Sequence, residues 1–573
     1  MAATYSVPEE TQRVLEKGIF GNTRLAHNIP EGAADIAKKS VKFVGNAAPS
    51  VPINWRFAES VSALKAYEAS VLSLLVKKKY NVDAGEIVID TDHASLFYMS
   101  PLIAQIIGPD GKPKPFNPVE PSSHAIIPNC DKYDSLEMYR GLATNIYRTK
   151  DDRFFHLHGS LDATPALIAL GLPVQDPEAT DYDATVERIQ EKVEKFTSSE
   201  IDELMNEQYR QAGCVPQTKE EYFASESGKA NYSAGLYEIN SVHEELPAAW
   251  WPEDASKPSS ASRPLAGLKV VDLSRIIAGP SITRSLAEMG ASVMRVTGPD
   301  VTDLSAVHHD LNWGKWNSHL DFKKPEDKDK LWALINEADV VMDGYRPGVL
   351  EKHGFGQQAV FEAVRGRGRG IIYARENCYG WHGPWAHRSG WQQISDACCG
   401  ISIGFGRAMG LDEPVTPVFP NSDFCTGIIG CVGILHALIQ RSEQGGSFTV
   451  DTALNYYSAW LAESVGEYPS DVWADLWQRH DQIVLRHYEN MPRMFGRLLP
   501  LMFQKDGAVI FKPQFFEPRM AKAVGAMFVF PKPISQFTEK TVELRYDVGT
   551  RGNGRDDPVW PKDLNVEVVK ADA

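Results

Sequence analysis

Leu268-Lys269-Val270-Val271-Asp272-Leu273, followed by Ala278-Gly279-Pro280, reads as a short apolar strand running into a turn. Helical spacing then covers 282–289 and stops at Gly290 as a C-cap, and a second strand occupies 291–296. A strand–helix–strand unit of this length predicts a right-handed crossover between parallel strands. The alternation continues outward. Residues 326–337 form an acidic-to-basic helical pattern, 339–342 a strand, 349–365 a helical segment and 370–374 another strand. The expected fold class is therefore α/β: a doubly wound parallel-sheet large domain, with ligands beyond the carboxyl ends of the strands.

Upstream of this unit, 255–262 is small and polar, Ala-Ser-Lys-Pro-Ser-Ser-Ala-Ser, and reads as part of a linker over 251–264. A weak internal repeat spans it. Helical residues 62–79 precede Gly85-Glu86-Ile87-Val88-Ile89-Asp90-Thr91, and helical residues 427–441 precede Gly446-Ser447-Phe448-Thr449-Val450-Asp451-Thr452. Residues 147–152 and 503–507 stand at similar distances beyond the two Asp-Thr marks, each read as the approach to a β-rich run. The expected organisation is an amino-terminal arm (1–50), a truncated copy (51–250), the linker (251–264), the large α/β domain (265–470), and a small-domain remainder with tail (471–573).

Composition narrows the function. The chain has 573 residues and a formal net charge of −16, which argues against a nucleic-acid partner. No stretch reads as the ~18 uncharged apolar residues of a membrane helix. Residues 1–10 lack the basic and apolar regions of a secretory signal, and Lys570-Ala571-Asp572-Ala573 is not a peroxisomal tripeptide, so a cytoplasmic location is expected. Seven scattered cysteines without a CxxC pair read as buried reduced thiols, and no metal site is expected. His156-Leu157-His158 has strand spacing but no accompanying ligand cluster. Gly404-Phe405-Gly406 reads as a turn.

Five further stretches stand in one order: Pro264 through Arg275 with Ala278-Gly279-Pro280; 312–323 with Lys315 and Leu320-Asp321-Phe322-Lys323; Asp343-Gly344-Tyr345-Arg346-Pro347-Gly348; Gly380-Trp381-His382-Gly383-Pro384; and Asp423-Phe424-Cys425-Thr426-Gly427 before Val450-Asp451. Together they resemble the large domain of the family III CoA transferases, the group that includes formyl-CoA transferase, carnitine CoA transferase and α-methylacyl-CoA racemase. Residues 147–159 and Leu170-Gly171-Leu172-Pro173 resemble that family's small domain, which implies a smaller α+β domain beside the large α/β one.

The resemblance implies an acyl-CoA:carboxylate CoA transferase whose substrates are an acyl-CoA and a small carboxylic acid. Asp423 matches the aspartate that forms a mixed anhydride and then an aspartyl-CoA thioester. Such a side chain must attack a carbonyl, hold the acyl group and leave again, and a carboxylate does all three. An Asp at this place is also the ordinary cap of a following helix, and that reading stays open. For coenzyme A the resemblance points to Arg275, Ile276, Ile277 and Ala278 in the loop after the first strand, with Lys315, Tyr345, Arg346 and Lys352. It also implies a homodimer of interlocked rings, whereas a duplicated half within one chain favours a monomer or a different dimer.

Three departures keep alternatives open. Thr297-Gly298-Pro299 lacks the family's usual cation, Gly344 replaces an asparagine, and Gln392 occupies the position of the racemase aspartate. A neutral amide is no general base, so racemisation by that route is disfavoured, although Asp396 stands one helical turn beyond. The family's covering glycine loop is not visible. The remaining alternatives are a CoA-binding protein without catalysis, or an acyl-CoA racemase, isomerase or hydrolase with a different base.

Overall fold

The computed structural model describes residues 5–242 and 245–569. The tail 570–573 and residues 1–4, both read above for targeting signals, lie outside the described residues. Seven strands form the main sheet: β1 Tyr237–Val242, β2 Lys269–Leu273, β3 Ser292–Thr297, β4 Lys315–His319, β5 Val340–Asp343, β6 Ile372–Asn377 and β7 Ser447–Ala453. Their order is β4-β3-β2-β5-β6-β7-β1, parallel throughout except for β1, which runs antiparallel to β7. This is the expected doubly wound α/β fold. Strand order reverses between β2 and β5, so the loops after these two strands flank the crevice in which such sheets bind ligands. Strands β3, β5 and β7 are buried along their whole length, as a sheet covered by helices on both faces requires.

Five helices matter for the site: α1 Phe57–Tyr80, α2 Ala278–Glu288, α3 Gln392–Cys398, α4 Asn421–Gln444 and α5 Met491–Ile510. The turn expected at Ala278-Gly279-Pro280 is instead the first turn of α2, where Pro280 withholds an N–H that has no helical partner anyway. Helix α4 begins at Asn421, six residues earlier than its apolar spacing suggested, and places Asp423 inside its first turn. Its far end is pinned to the sheet by fully buried Arg441, which donates to Asp339 Oδ1 and to the Gly370 carbonyl at 3.1 Å each.

Contrary to the sequence expectation, α4 is long and apolar enough to cross a bilayer. Its mean hydropathy reaches 1.7 over 18 residues, yet 94% of that window lies inside the protein, so it is a central core helix. It approaches α2 through Gly427, where a Cβ would stand 2.4 Å from Ser281 Oγ.

Domain boundaries drawn from composition do not delimit separate bodies. The supposed arm packs Val14, Leu15 and Ile19 into the same core as α1. The supposed linker is anchored: Trp251 is 3% exposed and its indole donates to the Ala266 carbonyl at 2.8 Å, while Lys257 and Arg263 both reach Asp547. Strands from both halves share sheets, with Ala526–Pro531 pairing Gln105–Ile107 and Gln536–Phe537 pairing Ile87–Asp90. The helix–strand part of the repeat has a physical counterpart, since α1 and α4 each have 24 residues, pack together and lead into strands. The second match does not: 503–507 lie within α5, whereas 145–148 form a strand. Gly404-Phe405-Gly406 is also helical, within Ile401–Ala408, and Gly404 lets that helix lie against the Trp55 ring.

At the end of β2, fully buried Asp272 ties three elements together. One oxygen accepts from the backbone N–H and hydroxyl of Ser274, the other from Thr283 Oγ1 of α2 at 2.6 Å and from Lys315 Nζ of β4 at 3.0 Å. Lys315 is likewise at 0% exposure, and burial pushes its ammonium down to about 8 against the opposing pull of Asp272. Breaking a buried ion pair from one side leaves a charge without solvent or partner, at a cost of about 3–5 kcal/mol. Asp272→Ala is therefore expected to lose about that much stability in urea unfolding, and the Asp272→Ala/Lys315→Met double variant to recover part of it. A loss below about 1 kcal/mol in the single variant would refute this role for Asp272.

Candidate active site

A cavity of about 1590 Å³ opens at the carboxyl ends of the strands. Its walls come from the loop after β2 (Arg275, Ile276, Ile277, Ala278), the loop after β5 (Gly344, Tyr345, Arg346, Pro347), the end of β6 (Glu376, Asn377, Cys378), the start of α3, Asp423, and one face of α5. The amino-terminal half closes the other side with residues between 101 and 211. Gly344 fits where the family has asparagine because a Cβ there would stand 2.6 Å from Ser274 Cβ, between the two switch-point loops.

Carboxyl groups cluster on this cavity. Asp423 is the third residue of α4, beyond the N-cap Pro420, and its side chain has no hydrogen-bond partner among the described residues, so the helix-cap reading does not describe it. Burial alone pushes its carboxyl up to about 7. The helix N-terminus favours the anion, leaving a carboxylate that is available without being locked by partners. Glu376, at the end of β6, is pushed up to about 8, first by burial and then by the charges of Asp423 and Asp343. Asp343 is itself raised to about 7 by burial. Two neighbouring acids that cannot both ionise cheaply divide into a proton holder and an anion.

Gln392 reaches the cavity wall, and its amide donates to Asp396 Oδ2 behind it. Asp396 is 3% exposed and does not line the cavity. Burial pushes its carboxyl well up, and Asp423 adds to the shift. It holds the Gln392 amide in place and does not replace the racemase aspartate.

Three guanidiniums surround the switch point. Arg275 donates to the Thr302 carbonyl at 2.6 Å, and Arg346 donates to the Arg210 carbonyl at 3.2 Å. No described carboxylate pairs with Arg210, Arg275 or Arg346. The Arg346 guanidinium is held below its ordinary value, first by burial and then by the charges of Arg275 and Arg210. Like charges gathered without counter-ions form a ready site for phosphate oxygens. Tyr345, raised to about 12 by burial, lies beneath Arg275, 5.8 Å from ring centroid to guanidinium carbon.

Two sequence candidates lie elsewhere. Lys315 is consumed by Asp272 and the Pro280 carbonyl inside the core, and Lys352 is exposed on a short helix away from the cavity. Both corrections have one cause: a cation chosen by its place in a motif was assigned without knowing which way its element faces.

His156 and His158 do line the cavity, but as neutral rings, pushed down to about 4 and about 3 by burial. His158 accepts from the Ser160 N–H at 2.9 Å, faces Gln393 Oε1 at 3.2 Å and stacks on Trp391. Both of its nitrogens are thereby used. Among the described residues no group of three metal-ligating side chains occurs.

Sequence reasoning missed Glu376 and Arg210. Glu376 was detectable as an acid just beyond the apolar strand 370–374, where sheets of this kind place their ligands. Arg210 carried no such signal, since only tertiary contact brings it to Arg346.

The arrangement offers an unencumbered carboxylate, a neighbouring proton holder and a cationic rim at a switch point. The comparisons agree with that chemistry. The profile of CoA-transferase family III matches residues 265–483. A protein of Hypoxylon pulicicidum named acetyl-coenzyme A transferase nodX is 52% identical over 571 residues, 99% of this chain and 96% of its own length. An acyl-CoA transferase of Gibberella moniliformis is 36% identical over 479 residues, 81% of this chain and 80% of its own. The β subunit of a succinyl-CoA–L-malate CoA-transferase of Chloroflexus aurantiacus is 34% identical over 212 residues, 34% of this chain and 50% of its own. With likeness extending over nearly the full length of the first of these relatives, the chain belongs to CoA-transferase family III.

Proposed function

We propose that this chain moves coenzyme A from an acyl-CoA donor to an acceptor carboxylic acid, with Asp423 carrying the acyl group and then CoA. The observation that carries this reading is the position of Asp423: in the first turn of α4, without a capping bond, on the cavity that Arg275 and Arg346 also line. Arg210, Arg275 and Arg346 would hold the phosphates, and the loop Ile276, Ile277 and Ala278 would pass along the pantetheine.

The steps balance as follows. A carboxylate oxygen of Asp423 attacks the thioester carbonyl, the carbon–sulfur bond breaks, and a mixed anhydride forms as the thiolate leaves. Glu376, protonated near neutral pH, gives its proton to the departing sulfur and later takes it back. The regenerated thiolate attacks the Asp423 carbonyl carbon and releases the donor acid as a carboxylate, leaving an aspartyl-CoA thioester. The acceptor carboxylate displaces that thiolate, and the thiolate then takes the acceptor's acyl group, restoring Asp423. A second reading rests on the same Glu376: deprotonated, it would activate water against the anhydride and make the protein a hydrolase.

Incubation with an acyl-CoA and hydroxylamine is expected to leave a hydroxamate on Asp423, detectable by mass spectrometry, and Asp423→Ala to lower turnover about a thousandfold or more. Label at another residue would overturn the assignment of Asp423. Neither label nor turnover across a range of thioesters would leave a CoA-binding protein without catalysis, and loss of thioester without transfer would make it a hydrolase.

The pH dependence follows from the two acids. Asp423 must be ionised, so kcat/KM is expected to rise through about pH 7; Glu376 must be protonated, so it falls through about pH 8. Glu376→Gln is expected to be at least about tenfold slower and to lose the alkaline limb while keeping the acid one. An alkaline limb that persists in the variant excludes Glu376 as the proton holder.

For the cationic rim, Arg210→Ala and Arg346→Ala are each expected to raise KM for acyl-CoA about tenfold. Lys352→Ala is expected to leave it unchanged. The reverse pattern in steady-state kinetics would remove Arg210 and Arg346 from the phosphate site and restore Lys352 to it.

A further inference from the structure

Helix α5 has two apolar stripes, the second with a spacing of four and the first with the same spacing interrupted by Asp506. Met494, Leu498, Met502 and Ile510 are buried in the core. Met491, Phe495, Leu499 and Phe503 form the second stripe and line the cavity, with Phe503 47% exposed. Val119 and Leu136, 51% and 44% exposed, line the same cavity from the amino-terminal half. Large apolar side chains left in contact with water and gathered on one cavity mark a binding surface.

This surface adjoins the reactive carboxylate. The Phe495 ring packs 6.0 Å from that of Phe419, four residues before Asp423, and Gln393, next to Gln392, donates to Met491 Sδ at 2.7 Å. Two other arginines line the cavity here, and both are neutralised: Arg388 by Asp202 and Glu207, Arg493 by Asp183 and Glu489. With Arg210, Arg275 and Arg346 taken for the phosphates, no described cation that lines the cavity is left without a counter-ion for a second carboxylate of a substrate.

We propose that the second stripe of α5, with Val119 and Leu136, is the acid subsite, and that it takes a bulky apolar monocarboxylic acid. The inference rests on the CoA-transfer reading and names the substrate class of that site. The acid enters either as the acyl group of the donor thioester or as the free acceptor, because both place the same carbon skeleton beside Asp423. It replaces the expectation of a small carboxylic acid.

Two kinetic arms distinguish the sources. In one, acetyl-CoA is the donor and the acceptors are acetate, hexanoate, decanoate, 2-naphthoate and succinate; in the other, the CoA thioesters of the same acids are donors to acetate. In at least one arm kcat/KM is expected to rise at least about tenfold from acetate to the bulkiest acid, with succinate no better than acetate. Leu499→Asp is expected to lower the ratio of bulky-acid to acetate kcat/KM at least about tenfold, and the milder Leu499→Ala to lower it in the same direction.

A flat series, or a preference for succinate, would overturn the proposal. Calorimetric titration of decanoate and 2-naphthoate into the protein without CoA reads the subsite even if no transfer occurs. Binding that is weakened at least about tenfold in Leu499→Ala supports the proposal, and no binding to the unaltered protein refutes it. Were the stripe instead covered by a second copy of the chain, Leu499→Asp would convert a dimer to a monomer in sedimentation and leave the acid-size ratio unchanged, which also refutes it.

Discussion

Four hydrogen bonds to one carboxylate hold the reactive end of the sheet in shape. Asp272 stands where β2 stops, and its two oxygens secure the loop that follows, the first turns of α2 and strand β4. Without it the loop 274–277 would have no reason to lie against Gly344, and the crevice between β2 and β5 would have no floor. The close approach of α2 and α4 at Gly427 carries that order onward to Asp423. A motif that resembles a cofactor-binding signature is thus, at its most buried residue, a structural clamp. Its neighbours from Arg275 onward, and not Asp272 itself, line the cavity.

That division explains what was legible in the amino-acid sequence. Alternation of strands and helices over 268–374 was readable because parallel strands buried on both faces carry unbroken apolar runs. Arg275, Tyr345 and Arg346 were named from the resemblance, and all three line the cavity because the loops after such strands face the crevice. Lys315 was named from the same resemblance but points into the core. It lies in a strand between Trp313 and Trp316, an apolar setting in which a cation needs a buried acid, and Asp272 of the first strand was available. The segment 251–264 looked like a tether because small polar residues outnumber its three anchors, Trp251, Lys257 and Arg263. The contribution of 101–211 to the cavity had no local signature at all, since pairing between distant segments leaves no periodicity in either one.

Chemical character at the site is set by its surroundings more than by residue type. Asp423, Glu376, Asp343 and Asp396 are all carboxylic acids, yet one is an unpartnered group on a helix end, one ends a strand beside it, one is held by a backbone N–H, and one sits behind an amide. Low-dielectric packing raises all of them toward neutrality, and the small differences between them decide which would carry a proton. At position 392 the cavity meets a neutral amide, with the nearest acid of that helix, Asp396, held behind it.

Both walls of the cavity are stretches of a single polypeptide. They are always made in equal number, and neither must recognise a twin in order to meet the other. In symmetric assemblies one sequence has to serve both as the surface that docks and as the surface that receives, so every substitution is felt twice. A chain that carries its own opposite wall escapes that bind.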